Sequence, residues 1–195
     1  QYTQSQEKRI DCRKGCDTCC HQAVFLSPSE AVYLYAYIKK HLTSDLQDKI
    51  YRRTVLKQKK TRNMAAREYL RYRQACPLLD SNTGACMAHI TRPVACRIFL
   101  SADVNTCEAA HTHPGDVNLY AALYDLPLRA GQALNTGFNQ YLHDTGIQSP
   151  TMKMEDALLV CFENPQHAME WLDKKDVFNE GISDTDITYI STYGN

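Results

Sequence analysis

Apolar positions recur at helical intervals over most of the chain. Ala31, Leu34, Tyr35, Ile38 and Leu42 define the first amphipathic stretch, spaced by the three and four residues that keep side chains on one helix face. Ser27-Pro28-Ser29-Glu30 opens it: Ser27 is an N-cap, Pro28 takes the first helical position, and Glu30 completes a capping box. A second start at Thr43 or Ser44 leads through Leu46 and Ile50, with helix formers continuing toward Tyr72. From Ala75 to His113 the pattern is neither helical nor alternating. Cys76-Pro77, Asn82-Thr83-Gly84 and Arg92-Pro93 punctuate it as turns. Helical spacing returns at Val117, Tyr120, Ala121 and Tyr124, then at Leu128, Gly131, Leu134, Phe138, Tyr141 and Leu142, with Gly146 as C-cap. Short helices follow around Leu158 to Phe162 and Ala168 to Leu172. The pattern predicts a mainly α fold, a single helical domain with a loop-rich region whose order comes from another source.

Length and charge narrow the class. The chain has 195 residues, 44% of them hydrophobic, enough for one ordinary core. A domain over 1–178 followed by an acidic polar tail at 179–195 is expected. The formal net charge of +0 removes a global electrostatic case for nucleic acid or an anionic membrane. No apolar run approaches the roughly 18 residues that span a bilayer, and Gln1 to Asp11 lacks a signal-peptide core. The expectation is a cytoplasmic protein with no membrane association.

The candidate chemistry lies in nine cysteines. Cys12, Cys16, Cys19 and Cys20 offer four soft ligands within nine positions, at spacings that let one turn of chain present several thiolates to one centre. Neighbouring side chains point in different directions, so one of Cys19 and Cys20 faces a second metal, bridges two metals, or stays a reactive thiol. Cys76, Cys86, Cys96 and Cys107 are spread almost evenly through the irregular stretch, as expected where metal replaces secondary structure as the organiser. The two sets read as one assembly. Eight thiolates match two closed four-coordinate Zn2+ sites; an iron–sulfur cluster is the alternative. Four disulfides are the competing account, and the vicinal pair suits a bridge framework poorly. Cys161 falls in the apolar ladder Leu158, Cys161, Phe162 and reads as a core thiol.

These residues resemble a known family. The Cys12 to Cys20 pattern, Cys76-Pro77-Leu78-Leu79, Gly84-Ala85-Cys86 and Arg92-Pro93-Val94-Ala95-Cys96-Arg97 are similar to the YkgJ-like cysteine-cluster proteins. Those are described as zinc- or iron-chelating domains and include the flagellin lysine N-methylases. The resemblance covers about the first half of the chain. It implies chelation through Cys12, Cys16, Cys19, Cys20, Cys76, Cys86 and Cys96, with Cys107 a further member. It does not imply methylation, since no Gly-rich nucleotide-binding loop supports S-adenosylmethionine binding.

Other features are weighed beside plainer accounts. Arg92 and Arg97 flank Cys96, where a guanidinium offsets thiolate charge; the plainer account is a turn set by Pro93. His21, His89, His111 and His113 are chemically competent ligands, but surface or hydrogen-bonded histidines are commoner. The basic segment 49–73, with Tyr51, Tyr69 and Tyr72 interleaved, could grip RNA or another polyanion. A solvated helix face paired with Glu155, Asp156, Glu163, Glu170, Asp173 and Asp176 is the favoured account. Tyr33, Tyr35 and Tyr37 read as core and surface packing. Three functions compete: a metal-binding protein with a structural or partner-presenting role, a lysine-methyltransferase-like enzyme, and a polyanion-binding module.

Overall fold

The computed structural model describes residues 9–116, 118–178 and 181. Among the described residues eight α-helices run in order: α1 (Pro28–His41), α2 (Ser44–Thr61), α3 (Ala66–Arg71), α4 (Val94–Ile98), α5 (Val104–Thr112), α6 (Asp125–Asp144), α7 (Met154–Glu163) and α8 (His167–Leu172). Two-residue strands β1 (Phe25–Leu26), β2 (Leu79–Asp80), β3 (Ala85–Cys86) and β4 (Met152–Lys153) form two separate antiparallel pairs. The chain is mainly helical and a single domain, as the periodicity predicts. Among the described residues no helix is long and apolar enough to cross a membrane. The proposed tail at 179–195 lies outside the described residues except for Gly181.

The core forms where α1 and α2 both pack on α7. Ala31, Leu34, Tyr35 and Ile38 bury one face of α1, Ile50 lies on α2, and Met154, Ala157, Leu158 and Cys161 come from α7. Each fully buried aliphatic side chain contributes roughly 1.5–3 kcal/mol of transfer free energy. Tyr35 is buried while Tyr33 is exposed, so the tyrosine series divides between core and surface. Cys161 is fully buried, a core thiol as its spacing indicates.

Capping does more than start α1. The Ser27 N–H donates to Glu30 Oε2 at 3.0 Å, and the other carboxylate oxygen accepts from the Val94 N–H at 2.7 Å. One side chain therefore caps α1 and ties down the start of α4, the helix that carries Cys96. On the far side β1 pairs with β4, Phe25 opposite Lys153 and Leu26 opposite Met152. That clip joins the chain leaving the first cysteine group to the start of α7.

Three expectations change. The irregular stretch 75–113 contains two helices: α4 and the nine-residue α5, which is capped by Asp103, whose carboxylate accepts from the Asn105 N–H at 2.9 Å. Conversely, Tyr120, Ala121 and Tyr124 lie outside any helix, and Val117 is not among the described residues. Backbone bonds from Ala102 N–H to Ala122 O and from Tyr124 N–H to Leu100 O, both 2.9 Å, hold this segment extended against 100–102 instead. Long-range pairing thus overrides a short periodic pattern. Finally, the basic stretch is broken between Thr61 and Ala66. Its Lys57 is buried, and Glu155 accepts from the Thr61 hydroxyl at 2.6 Å and the Tyr69 hydroxyl at 2.8 Å.

Candidate metal centre

All nine cysteines are free thiols. The local chain explains how distant ones meet. Thr18–His21 is a turn of 3-10 helix carrying Cys19 and Cys20. The strand-like segment after α3 docks beside it: the Cys76 N–H donates to Cys20 O at 2.7 Å and the Gln74 N–H to His21 O at 3.1 Å. From Cys76 the chain enters the β2–β3 hairpin, with Leu79 opposite Cys86. Its turn is held by the Asp80 carboxylate, which accepts from the Asn82 N–H and the Thr83 hydroxyl; the latter bond leads in holding that carboxyl below its usual value.

Two glycines bring the first loop onto this hairpin. Gly15, between Cys12 and Cys16, has φ +88°, and Gly84, two residues before Cys86, has φ +65°. Both conformations suit residues without Cβ. The approach needs them too, since a Cβ on Gly84 would lie 2.5 Å from the Gly15 carbonyl oxygen.

The first loop is pinned at its other end. The Asp11 N–H donates to Ser101 O at 3.0 Å, the Asp11 carboxylate accepts from the Val104 N–H at 3.1 Å, and the Ser101 N–H points at Cys12 Sγ at 3.3 Å. This brings Cys12 to the start of α5, whose one buried residue is Cys107. The Thr18–His21 turn also packs on α5.

Electrostatics report which thiols are neighbours. Cys20 is pushed up by its hydrogen bond with Cys19 and then by burial, with further contributions from Cys19, Cys76 and Cys86. The same bond holds Cys19 down, against its burial. Burial pushes Cys96 up, and Cys76, Cys19 and Cys86 add to it. Cys107 is raised by burial and feels Cys12, Cys19 and Cys16. The thiol charges thus act within two sets, one of Cys20, Cys76, Cys86 and Cys96, the other of Cys12, Cys16 and Cys107. Cys19 acts on both. The sequence order of the two sets is not the spatial partition, because Cys20 joins the late cysteines and Cys107 the early ones.

Cations stand beside the first group. The Arg92 charge acts on Cys19, Cys86 and Cys96, and its Nε is buried without a hydrogen-bond partner. Arg97 does something else: its guanidinium binds the carbonyl oxygens of Arg92 and Ile90 and fixes the turn. Lys57, missed as a site neighbour, opposes the rise of Cys76, which burial takes up to about 11. The stripe Ile50, Thr54, Lys57, Thr61 on α2 is the signal that turns Lys57 inward.

The donor set is chemically suited to zinc or iron, since several soft sulfurs with nearby cations match a thiolate centre of negative charge. Among the described residues no three His, Cys, Asp or Glu side chains already stand in metal-holding geometry. The thiols are gathered as neighbours rather than closed around a point.

Fold and site together define a helical thiol-cluster domain. The chain belongs to the CxxCxxCC family, described as a "putative zinc- or iron-chelating domain", whose model matches residues 11–114. That span begins one residue before Cys12 and ends seven after Cys107, so it encloses all eight gathered thiols and excludes Cys161. No curated protein and no solved structure matches the chain.

Proposed function

We propose that this protein chelates two metal ions in adjoining thiolate centres, and that the centres organise the loops around them. Cys20, Cys76, Cys86 and Cys96 supply one four-thiolate set; Cys12, Cys16, Cys19 and Cys107 supply the other. The observation that carries the reading is the position of the vicinal pair. The Cys76 N–H reaches Cys20 O at 2.7 Å on one side, and on the other the turn that carries Cys19 and Cys20 packs on α5, the helix of Cys107, so the pair stands at the joint between the centres. Zinc is the favoured ion, because four thiolates close a tetrahedral structural site with Zn–S near 2.3 Å. Ion binding then includes a local closing of the loops, as is usual where the unliganded site is not preformed. A structural role that presents a surface to a protein partner needs nothing beyond these residues.

Elemental analysis with an ultraviolet–visible spectrum on anaerobically purified protein tests this. Zinc near two equivalents without visible absorption is the expected result. Iron with acid-labile sulfide and a brown chromophore would replace the zinc assignment by an iron–sulfur centre. Protein that retains neither metal when purified with reductant, and takes up none, would overturn the reading.

A further inference from the structure

The interface between the Thr18–His21 turn and α5 carries a second pair of donors that the thiol centres do not use. His21 follows Cys20, and His111 lies one helical turn beyond Cys107. Their ring centroids are 5.5 Å apart and the planes are tilted by 58°. Each ring has a nitrogen to spare. His21 Nδ1 is 3.1 Å from the Asp17 carbonyl oxygen; a carbonyl only accepts, so Nδ1 carries the proton and Nε2 is left with its lone pair. That is the backbone anchoring that orients metal-binding histidines. His111 Nδ1 is buried and has no hydrogen-bond partner, a state that buried polar atoms in proteins seldom tolerate without a ligand, ion or water.

We propose that His21 and His111 bind a divalent transition-metal ion between them, at a site beside the thiol centres and separate from them. The spacing fits. With a metal–nitrogen bond of ~2.0–2.1 Å and a ring centre just over 1 Å behind the nitrogen, two imidazoles at a tetrahedral angle place their centroids ~5.2 Å apart. Burial, followed by the Arg73 charge, holds His111 below its usual pKa and so in the neutral form that coordinates metal, while Asp17 pulls the other way. The Arg73 cation opposes an incoming metal ion and the Asp17 carboxylate offsets it. No third His, Cys, Asp or Glu completes a set with the pair among the described residues. The two imidazoles therefore fill two positions and leave the others to water or to an oxygen- or nitrogen-bearing ligand. An ion with open positions is exchangeable and able to activate a bound water, unlike a closed four-thiolate site.

Cobalt titration of the full chain, after its thiols have been filled with zinc limited to two equivalents, separates this site from the thiol centres. The expected result is one further equivalent of Co2+ with d–d absorption and no thiolate charge-transfer band. His21→Leu and His111→Leu should each weaken that binding by at least about tenfold, while His113→Leu, on an exposed ring, leaves it unchanged. In the unsubstituted chain, added Zn2+ should shift the 15N resonances of His21 Nε2 and His111 Nδ1, which keeps the test valid if a leucine variant fails to fold. Absence of the further equivalent, binding indifferent to both substitutions, or unmoved imidazole resonances would each overturn the site. A sulfur charge-transfer band that depends on the histidines would also overturn it, by making them members of the thiol centre. Because the thiol centres are read from zinc content, failure of either proposal leaves the other standing.

Discussion

Replacing Gly84 by alanine tests how the two cysteine segments are held together. The residue has φ +65°, and its added Cβ would lie 2.5 Å from the Gly15 carbonyl oxygen and 3.2 Å from the Gly15 Cα. A left-handed backbone costs a residue with Cβ about 1–2 kcal/mol. Carbon–oxygen contacts settle at ~3.3 Å or more, so the Cys12–Cys16 loop and the hairpin bearing Cys86 must separate by most of an ångström. Comparable overpacking costs about 1–3 kcal/mol, for a total of roughly 2–5 kcal/mol. Domains of this kind have only about 5–15 kcal/mol in hand. The separation also matters for chemistry, because metal–sulfur bonds of ~2.3 Å do not stretch to follow it. Urea unfolding of the metal-free, reduced protein reads the first effect, and metal content after purification reads the second. Gly115→Ala is the control, with nothing within 4 Å of the added Cβ, and should stay within about 0.5 kcal/mol. A Gly84→Ala protein with unchanged midpoint and unchanged metal content would refute the clamp.

Glu155 is fully buried and accepts from two hydroxyls, so Glu155→Leu, which leaves both without a partner at about 1–3 kcal/mol each, should lower stability by about 2–6 kcal/mol; a urea-midpoint loss equivalent to less than about 1 kcal/mol would contradict the network. Burial, aided by Glu155, raises Tyr69 well above its ordinary value, so above pH ~10 only the unfolded chain ionises this phenol. Stability should be insensitive to Tyr69 below that pH and fall by up to about 1.4 kcal/mol per unit above it, a slope that Tyr69→Phe removes in denaturant titrations. A Cβ on Gly131 of α6 would run into Ile98 Cγ2 of α4; Gly131→Ala should cost about 1–3 kcal/mol, and Ile98→Ala in the same chain should recover part of it, whereas strictly additive losses would place the helices further apart. Burial pushes the Cys161 thiol up to about 12, so iodoacetamide at pH 8 should spare it in folded protein even after metal removal and modify it once urea unfolds the chain, as peptide mass spectrometry would read.

The chain's local order was largely legible from its residues. Ser27, Pro28 and Glu30 mark the start of α1 because capping acts over three residues, and the apolar spacing of α1 and α7 marks their buried faces for the same local reason. The cysteine pattern named the chemistry, since soft ligands at short spacing have few other uses, and the buried ladder around Cys161 set that thiol apart. Some signals were present but weak: Asp103 caps α5 by accepting from the Asn105 N–H, and Lys57 shares a stripe with Ile50, Thr54 and Thr61. Tertiary structure alone decided the rest. Helical spacing at Tyr120 to Tyr124 yielded to backbone bonds with residues 100–102, and Leu134, Phe138 and Tyr141 keep their spacing on α6 yet remain exposed. Which thiols adjoin which, and that His21 meets His111, depend on the Gly15–Gly84 contact and on the packing of the Thr18–His21 turn against α5. Spacing constrains a side chain relative to its near neighbours along the backbone, whereas a site built from segments up to 95 residues apart, Cys12 to Cys107, is set by where folding brings those segments.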